Sequence, residues 1–269
     1  MIRLTLLLTL LITGTLFAQD FQGVATYKSH RKMDFEMDGI DKNSAMHKEI
    51  QAQMAKQFQK EYTLVFTKSE SLYKEMESLS APAAGGSNFS FQMIGGGGGN
   101  DKRYNNIKEK RYTNATEIMG KEFLVKDSLQ SKAWVITDET KKIGNYTCRK
   151  AVFKDTIKTQ AIGEFGNMET IEKERETIAW FTLQIPVSHG PANHFGLPGL
   201  ILEINDGDLT LVCSKIVINP EDKVEIKEPK NGKVVKSKKF EEIRKKKNEE
   251  MMDKHRGRGN KNQMITIGR

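Results

Sequence analysis

The sequence has few cysteines, one long apolar run and none of the common hydrolase motifs. Its 269 residues include two cysteines, so we expect a core that forms without disulfide staples. It contains no His-Glu-x-x-His pattern, no Gly-x-Ser-x-Gly elbow and no conspicuous pair of carboxylates. Those are the patterns of zinc peptidases, serine hydrolases and glycosidases. The motifs therefore do not indicate an enzyme, and we expect no cofactor.

The apolar run lies at the amino terminus. It covers residues 4–17, after Met1-Ile2-Arg3 and before Ala18, and it is too short to span a membrane. A basic start, a short apolar segment and a small residue at the cut predict a signal peptide over residues 1–18, with export to the periplasm or beyond. A retained membrane anchor is the alternative. No cysteine follows the cut, so we do not expect a lipid anchor there.

Positive charge is concentrated near the carboxyl terminus. The formal net charge is +8, and much of the excess follows residue 229, which leaves the body of the protein close to neutral. Residues 229–269 are predicted to form a basic helical or disordered tail. Such a tail would dock on an anionic membrane surface or an acidic envelope protein, and a solvated charged helix is the alternative. Export and the lack of interleaved aromatic residues argue against nucleic-acid binding.

Short alternating segments separated by turn residues dominate the body, residues 19–228. The pattern predicts strands over 23–27, 62–66, 71–76, 104–112, 115–119, 122–126, 133–137, 146–153, 159–165, 177–183, 200–204 and 209–218. One helix is predicted over 42–59 from its apolar spacing, and it should pack on the sheet. Consecutive strands without intervening helices favour an antiparallel sheet. The predicted class is therefore α+β, mainly β.

Two glycine-rich segments interrupt this pattern. Residues 81–100 include five successive glycines but have neither the preceding strand nor the following Lys-Ser/Thr of a phosphate loop, so a flexible excursion is predicted. The second segment is a loop between the strands near residues 180 and 200, rich in proline and glycine. Within it, Leu197-Pro198-Gly199 predicts a type II turn with a positive φ at Gly199.

Several motifs in this order resemble the GLPGLI family of secreted proteins from one group of Gram-negative bacteria. They are Tyr27, Trp134, residues 143–151, Trp180-Phe181-Thr182, Ile185-Pro186, Gly190-Pro191 and residues 196–202. Phe181 departs from the tyrosine that we expect there. The resemblance implies a curved antiparallel sheet, similar to lipoprotein-carrier half-barrels and to the bowl-like amino-terminal domain of some peptide-N-glycosidases. It implies no activity, because that family has none established.

Two histidines and two cysteines are candidate reactive groups. His189 and His194 lie five residues apart in the loop and, with a nearby carboxylate, would hold a divalent metal; satisfied or solvent-facing loop histidines are the alternative. Cys148 and Cys213 are expected to form a disulfide in an oxidising compartment, with two free buried thiols as the alternative. A nucleophilic role for Cys148 would need a neighbouring histidine.

The leading functional hypothesis is an exported, non-enzymatic binding or carrier module. A curved sheet must cover its concave face with a helix, a ligand or a partner. We therefore predict an apolar or peptide-like ligand near Phe195, Leu197, Pro198 and Leu200, while a simple plug of the sheet by these residues is the alternative. Two other hypotheses are an envelope interaction protein acting through its tail and a metal-dependent hydrolase using His189 and His194.

Overall fold

Within the residues that the structure describes, twelve strands form one curved, mainly antiparallel sheet, and one helix follows the last strand. The structure is a computed structural model that describes residues 21–31, 44–45, 59–76, 101–162 and 168–256, without the side chains of 158–162, 168–170 and 251–256. The predicted signal peptide and glycine-rich excursion, and nearly all of the predicted 42–59 helix, lie outside these residues.

Twelve strands and one helix follow one another along the described chain. They are β1 Gln22–Arg31, β2 Glu61–Thr67, β3 Glu70–Glu75, β4 Lys102–Asn106, β5 Arg111–Ile118, β6 Lys121–Ser128, β7 Val135–Ile143, β8 Tyr146–Ile162, β9 Met168–Thr182, β10 Leu200–Asp206, β11 Leu209–Ile218, β12 Lys233–Val235 and the helix α1 Ser237–Arg256. The short polar turns between segments 62–66 and 71–76 and between 200–204 and 209–218 predict hairpins, and both are confirmed as β2–β3 and β10–β11.

The sheet consists of two meanders joined by the first strand. Its order is β12-β6-β5-β4-β3-β2-β1-β11-β10-β9-β8-β7, so β1 to β6 form one meander and β7 to β11 the other. Antiparallel pairing between β1 and β11 joins them, and the pair of β12 with β6 is parallel. The expected mainly-β class with a curved antiparallel sheet is confirmed.

The connection between β6 and β7 accounts for the strong curvature. These strands stand ten steps apart in the sheet order, a distance of about 48 Å in a flat sheet. Residues 129–134 are all that joins them, and so few residues reach about 25 Å at most. The sheet must therefore curl until the meander that ends at β6 approaches the edge strand β7.

Three predicted boundaries are wrong. The segment 104–112 is not one strand, because a turn at residues 107–110 separates β4 from β5. The residue types of Asp138-Glu139-Thr140 predict a tight turn, but these residues lie inside β7 at a shift of register against β8. The segments 146–153 and 159–165 belong largely to a single long strand, β8, which pairs with β9 from Arg149 to Ile162.

The predicted tail contributes to the fold. Val235 of β12 and Phe240 of α1 pack on Phe123 and Val125 of β6, and the Phe123 and Phe240 rings meet edge to face with centroids 5.6 Å apart. Several basic side chains of α1 pair with a glutamate three or four residues away on the same helix. No helix within the described residues has the length and apolarity needed to cross a membrane.

Candidate functional site

The loop between β9 and β10, residues 183–199, lies against the sheet and is called the signature loop below. It contributes Ile185 and Val187 to one buried cluster of the sheet and Leu197 to the neighbouring cluster. Three backbone hydrogen bonds hold its course: Leu200 N to Ile185 O at 2.9 Å, Ile201 N to His189 O at 3.1 Å and Gly196 N to Ser188 O at 3.2 Å. The loop is therefore an ordered part of the core rather than a free excursion.

Two glycines of the motif serve different purposes. Gly196 has a φ of +94°, whereas Gly199 is not among the residues with positive φ, so the expected positive φ at Gly199 is wrong. A Cβ on Gly199 would lie 2.0 Å from the carbonyl oxygen of Thr182. Gly199 is thus required for close approach of the loop to the end of β9, and Gly196 supplies the left-handed turn.

The four residues predicted to contact a ligand fall into different environments. Leu197 and Leu200 are fully buried, Phe195 is 8% exposed, and Pro198 is exposed on the surface. Leu197 packs with Phe181 and Ile201, and Leu200 packs in the cluster of Tyr27. Leu197 and Leu200 therefore fill the core, as the plug interpretation expects, and Phe195 is the member of the set that lines a cavity.

The two loop histidines have separate surroundings. The ring of His189 is fully buried beside the Phe66 ring, and burial lowers its pKa to about 4, while the backbone of Thr67 opposes the shift. His194 lies near Trp134 and accepts a hydrogen bond from Lys132 Nζ at 3.1 Å through Nδ1. No group of three or more metal-ligating side chains occurs among the described residues.

Trp134 fixes the outer part of the signature loop. Its indole Nε1 donates a hydrogen bond to the carbonyl oxygen of Phe195 at 2.9 Å, and its ring lies 5.7 Å from that of Phe153. Trp134 ends the 129–134 connection, so this bond ties the link between the two meanders to the loop. The tie positions Phe195 relative to residues from β4 and β5.

The neighbouring acidic residues are already paired. Arg175 donates two hydrogen bonds to the carboxylate of Asp155, at 2.9 and 2.6 Å, and a third to Asp206 at 3.3 Å. Asp206 also accepts from the Thr177 hydroxyl at 3.1 Å. Arg175 lowers the pKa of Asp155 through these bonds. A single guanidinium therefore pairs with both carboxylates.

A cavity of about 260 Å³ lies where the two meanders approach each other. Side chains from β4, β5, the end of β6, the 129–134 connection and the signature loop line it, among them Arg103, Tyr112, Asp127, Lys132, Asn193 and Phe195. Ser237, the first residue of α1, also contributes. Its walls combine aromatic rings with polar and charged groups from distant parts of the chain.

Burial lowers the pKa values of both cationic side chains of the cavity, Lys132 and Arg103. It lowers the pKa of the Lys132 amine to about 8, with the carboxylates of Asp206 and Asp155 opposing the effect. It also lowers the pKa of Arg103, whose guanidinium stacks over the Tyr112 ring at 4.1 Å from the centroid. Burial, followed by the charge of Lys132, holds the pKa of His194 well below its usual value. His194 is therefore neutral near pH 7.

The two cysteines are free thiols, so the expected disulfide is not formed. Cys148 lies on β8 and Cys213 on β11, and β9 and β10 separate these strands in the sheet. Three inter-strand steps of about 4.8 Å exceed the Cα separation of about 7 Å that a disulfide tolerates. Burial raises the pKa of Cys148 to about 11 and that of Cys213 to about 12, which makes both unreactive.

A larger, open cleft of about 770 Å³ lies beside the start of β1 and the β2–β3 turn. Its charged lining includes Lys68, Glu70, Lys223 and Glu225, so it carries no excess of either sign. Glu70 already accepts a short hydrogen bond from the Tyr104 hydroxyl. The smaller cavity is therefore the better candidate site, because its charged groups are unbalanced and come from converging elements.

Comparison with known proteins gives a family of unknown function and a fold-level likeness. A family model described as a protein of unknown function (Porph_ging) matches residues 134–203, less than half of the chain. The match runs from the tryptophan beside the cavity through the signature loop, and it does not itself name the GLPGLI family, so that assignment stays a prediction. No curated protein matches the chain.

Among solved structures, PNGF-II is similar in two crystal forms. Each comparison gives a TM-score of 0.48 at 12% sequence identity and covers 84% of this chain and 33% of that chain. The chain thus spans about a third of the length of the PNGF-II chain.

Proposed function

We propose that the protein is an exported, non-enzymatic binding module of the cell envelope that holds a small ligand in the cavity beneath Phe195. The observation that carries the proposal is the convergence of six separate elements on one cavity with an aromatic and polar lining. Binding sites in proteins are concave, have mainly apolar walls and contain a few placed polar groups. A cavity of about 260 Å³ suits a small molecule or the end of a longer chain.

The construction of the walls supports binding rather than simple packing. Phe195 is held by the Trp134 hydrogen bond to its carbonyl oxygen, and Lys132 is held by its contact with His194. Such preorganisation reduces the entropy lost when a ligand binds. By contrast, Leu197 and Leu200 are packed so completely that they position the cavity wall without reaching a ligand.

Native mass spectrometry of the mature protein purified from a Gram-negative periplasm tests the proposal directly. We expect a native mass that exceeds the chain mass by a small component, which denaturation releases. A native mass equal to that of the bare chain, unchanged after incubation with periplasmic extract, would contradict the proposal. The same spectra give the mature amino terminus and so test the predicted signal peptide.

A pair of variants locates the ligand. Asn193 is exposed and lines the cavity, so Asn193→Trp should fill it and remove the bound mass while the protein stays folded. Leu183→Ala is the control, because Leu183 is 52% exposed on the same loop and does not line the cavity. Retention of the bound mass in Asn193→Trp would place the ligand elsewhere.

A further inference from the structure

Two cations line the candidate cavity without a carboxylate partner. Neither Arg103 nor Lys132 forms an ion pair with any residue that the structure describes, although Arg175 and Arg111 each do. The Nε of Arg103 is buried and has no hydrogen-bond acceptor in the described part of the chain. A buried donor without an acceptor and a desolvated charge without a counter-charge both reduce stability. An anion in the cavity would satisfy both.

The setting of Arg103 fixes its guanidinium while its Nε has no acceptor among the described residues. Arg103 lies on β4, where its backbone pairs with Tyr73 of β3 and Asn114 of β5, so its base is fixed by two neighbouring strands. Its guanidinium stacks on Tyr112, a contact that uses the flat face of the group. The in-plane N–H groups match the two oxygens of a carboxylate.

Lys132 offers a second, differently placed positive charge. Its ammonium donates to His194 Nδ1 and lies 5.4 Å from the Phe153 ring centroid and 5.9 Å from the Trp134 ring centroid. These contacts hold the ammonium in place without neutralising it. Its pKa of about 8 means that the protonated form predominates near pH 7 and that a bound anion would stabilise it further.

The negative charge of Asp127, the third charged group that lines the cavity, limits the charge that a ligand can carry. The carboxylate of Asp127 lines the cavity and accepts a hydrogen bond from the backbone N–H of Ser237 at 3.1 Å, at the start of α1. Hydrogen bonds from Ser128 and Ser237 lower the pKa of Asp127, so its negative charge persists. Two cations beside one carboxylate favour a monoanion over a phosphate dianion, which Asp127 would repel more strongly.

We propose that the cavity recognises a carboxylate group, on a small organic acid or at the end of a peptide, through Arg103 and Lys132. This inference rests on the proposed binding function and names the chemistry of its ligand. The carboxylate oxygens would accept hydrogen bonds from Arg103 and Lys132, and the remainder of the ligand would contact Tyr112 and Phe195.

Calorimetry with three carboxylates, acetate, benzoate and hippurate, tests this recognition, with hippuramide and phenyl phosphate as comparators. Hippurate should bind at least about tenfold more tightly than hippuramide, which has the same shape and no charge, since tenfold corresponds to one charge-assisted contact. Affinity for hippurate should fall as the pH rises through about 8, where Lys132 loses its proton. Equal binding of hippuramide, tighter binding of phenyl phosphate, or no binding of any carboxylate at millimolar concentration would overturn the inference.

Variants separate recognition from folding. Arg103→Gln and Lys132→Gln should each weaken hippurate binding about tenfold or more with at most a small change in the melting temperature, because neither cation forms an ion pair within the described residues. Lys102→Gln is the matched control on the same strand, with an exposed side chain. A purely structural Arg103 would instead lower the melting temperature and leave affinity unchanged. If the protein binds a neutral ligand and Arg103→Gln still binds it, the carboxylate inference is refuted. The proposed binding function would stand.

Discussion

The hydroxyl of Tyr27 donates a hydrogen bond to the backbone carbonyl oxygen of Ile201 at 2.7 Å, and the two residues are 174 positions apart. Both are fully buried. The bond connects the first strand to the strand that follows the signature loop, close to the bulge between β9 and β10 at Ile201 and Glu203. It therefore links the two meanders at the point where the loop enters the sheet.

Replacing Tyr27 with phenylalanine should lower the free energy of unfolding by about 1–3 kcal/mol, because the Ile201 carbonyl loses a buried donor. Urea unfolding at pH 7.5 measures the change. Tyr62→Phe is the control: that ring stacks on Tyr73 at 5.1 Å, and its hydroxyl makes no hydrogen bond within the described residues. An equal loss in both variants would show that the Tyr27 hydroxyl has no special role.

Replacing Gly199 or Gly196 with alanine should lower the stability of the protein by very different amounts. Gly199→Ala should cost at least about 3 kcal/mol because its Cβ would overlap the Thr182 carbonyl. Gly196→Ala meets no atom within 4 Å and should cost about 1 kcal/mol, from the positive φ alone. Thermal unfolding followed by circular dichroism compares them. The reverse order of stabilities would be inconsistent with the close approach.

Acid should destabilise the protein through His189. The unfolded chain binds a proton there below about pH 6.5, whereas the folded protein resists protonation until about pH 4. The free energy of unfolding should therefore fall as the pH drops through this window, by up to about 1.4 kcal/mol per pH unit. Urea unfolding across the window should show that the free energy of unfolding of His189→Phe depends less steeply on pH. The dependence that remains in this variant includes the similar effect of His194. Identical slopes would mean that His189 takes up its proton at the same pH in the folded and the unfolded protein.

The thiols should stay reduced and unreactive in the native protein. Because burial raises the pKa values of Cys148 and Cys213 to about 11 and about 12, the reactive thiolate is scarce at pH 8. Iodoacetamide should modify neither cysteine under native conditions and both after unfolding without reductant. Mass spectrometry counts the adducts, and an unfolded protein that resists modification until reductant is added would reveal a disulfide.

Local patterns were sufficient to predict most of the strands. The β2–β3 and β10–β11 hairpins each follow from alternating residues on either side of a short polar turn. The turn between β4 and β5 was missed because residues 107–110 contain neither glycine nor proline. It depends instead on Asn106, whose side-chain oxygen accepts from Glu109 N at 2.8 Å, and on Lys110 with a φ of 52°.

The candidate site was only partly accessible to sequence reasoning. Phe195 was predicted because it adjoins a specific motif, but Arg103 and Lys132 were not, since they are two among 43 basic residues and lie in no motif. What distinguishes them is that both line one cavity without forming an ion pair with any described residue, and that depends on contacts between distant segments. His189 and His194, close in sequence, have different neighbours because a turn at residues 191–193, in which Ala192 has a φ of 54°, lies between them.

The place of β1 in the sheet governs the order in which the protein acquires its structure. β1 pairs on one side with β2 and on the other with β11, from Gly23 opposite Ile218 to Arg31 opposite Leu209. During synthesis its second side stays unpaired until nearly all of the sheet has emerged, and contacts so distant in sequence form slowly. An open strand edge invites mispairing with other chains. The nascent protein should therefore depend on a holdase chaperone until residue 218 has been made, and shortened chains that end before β11 should aggregate.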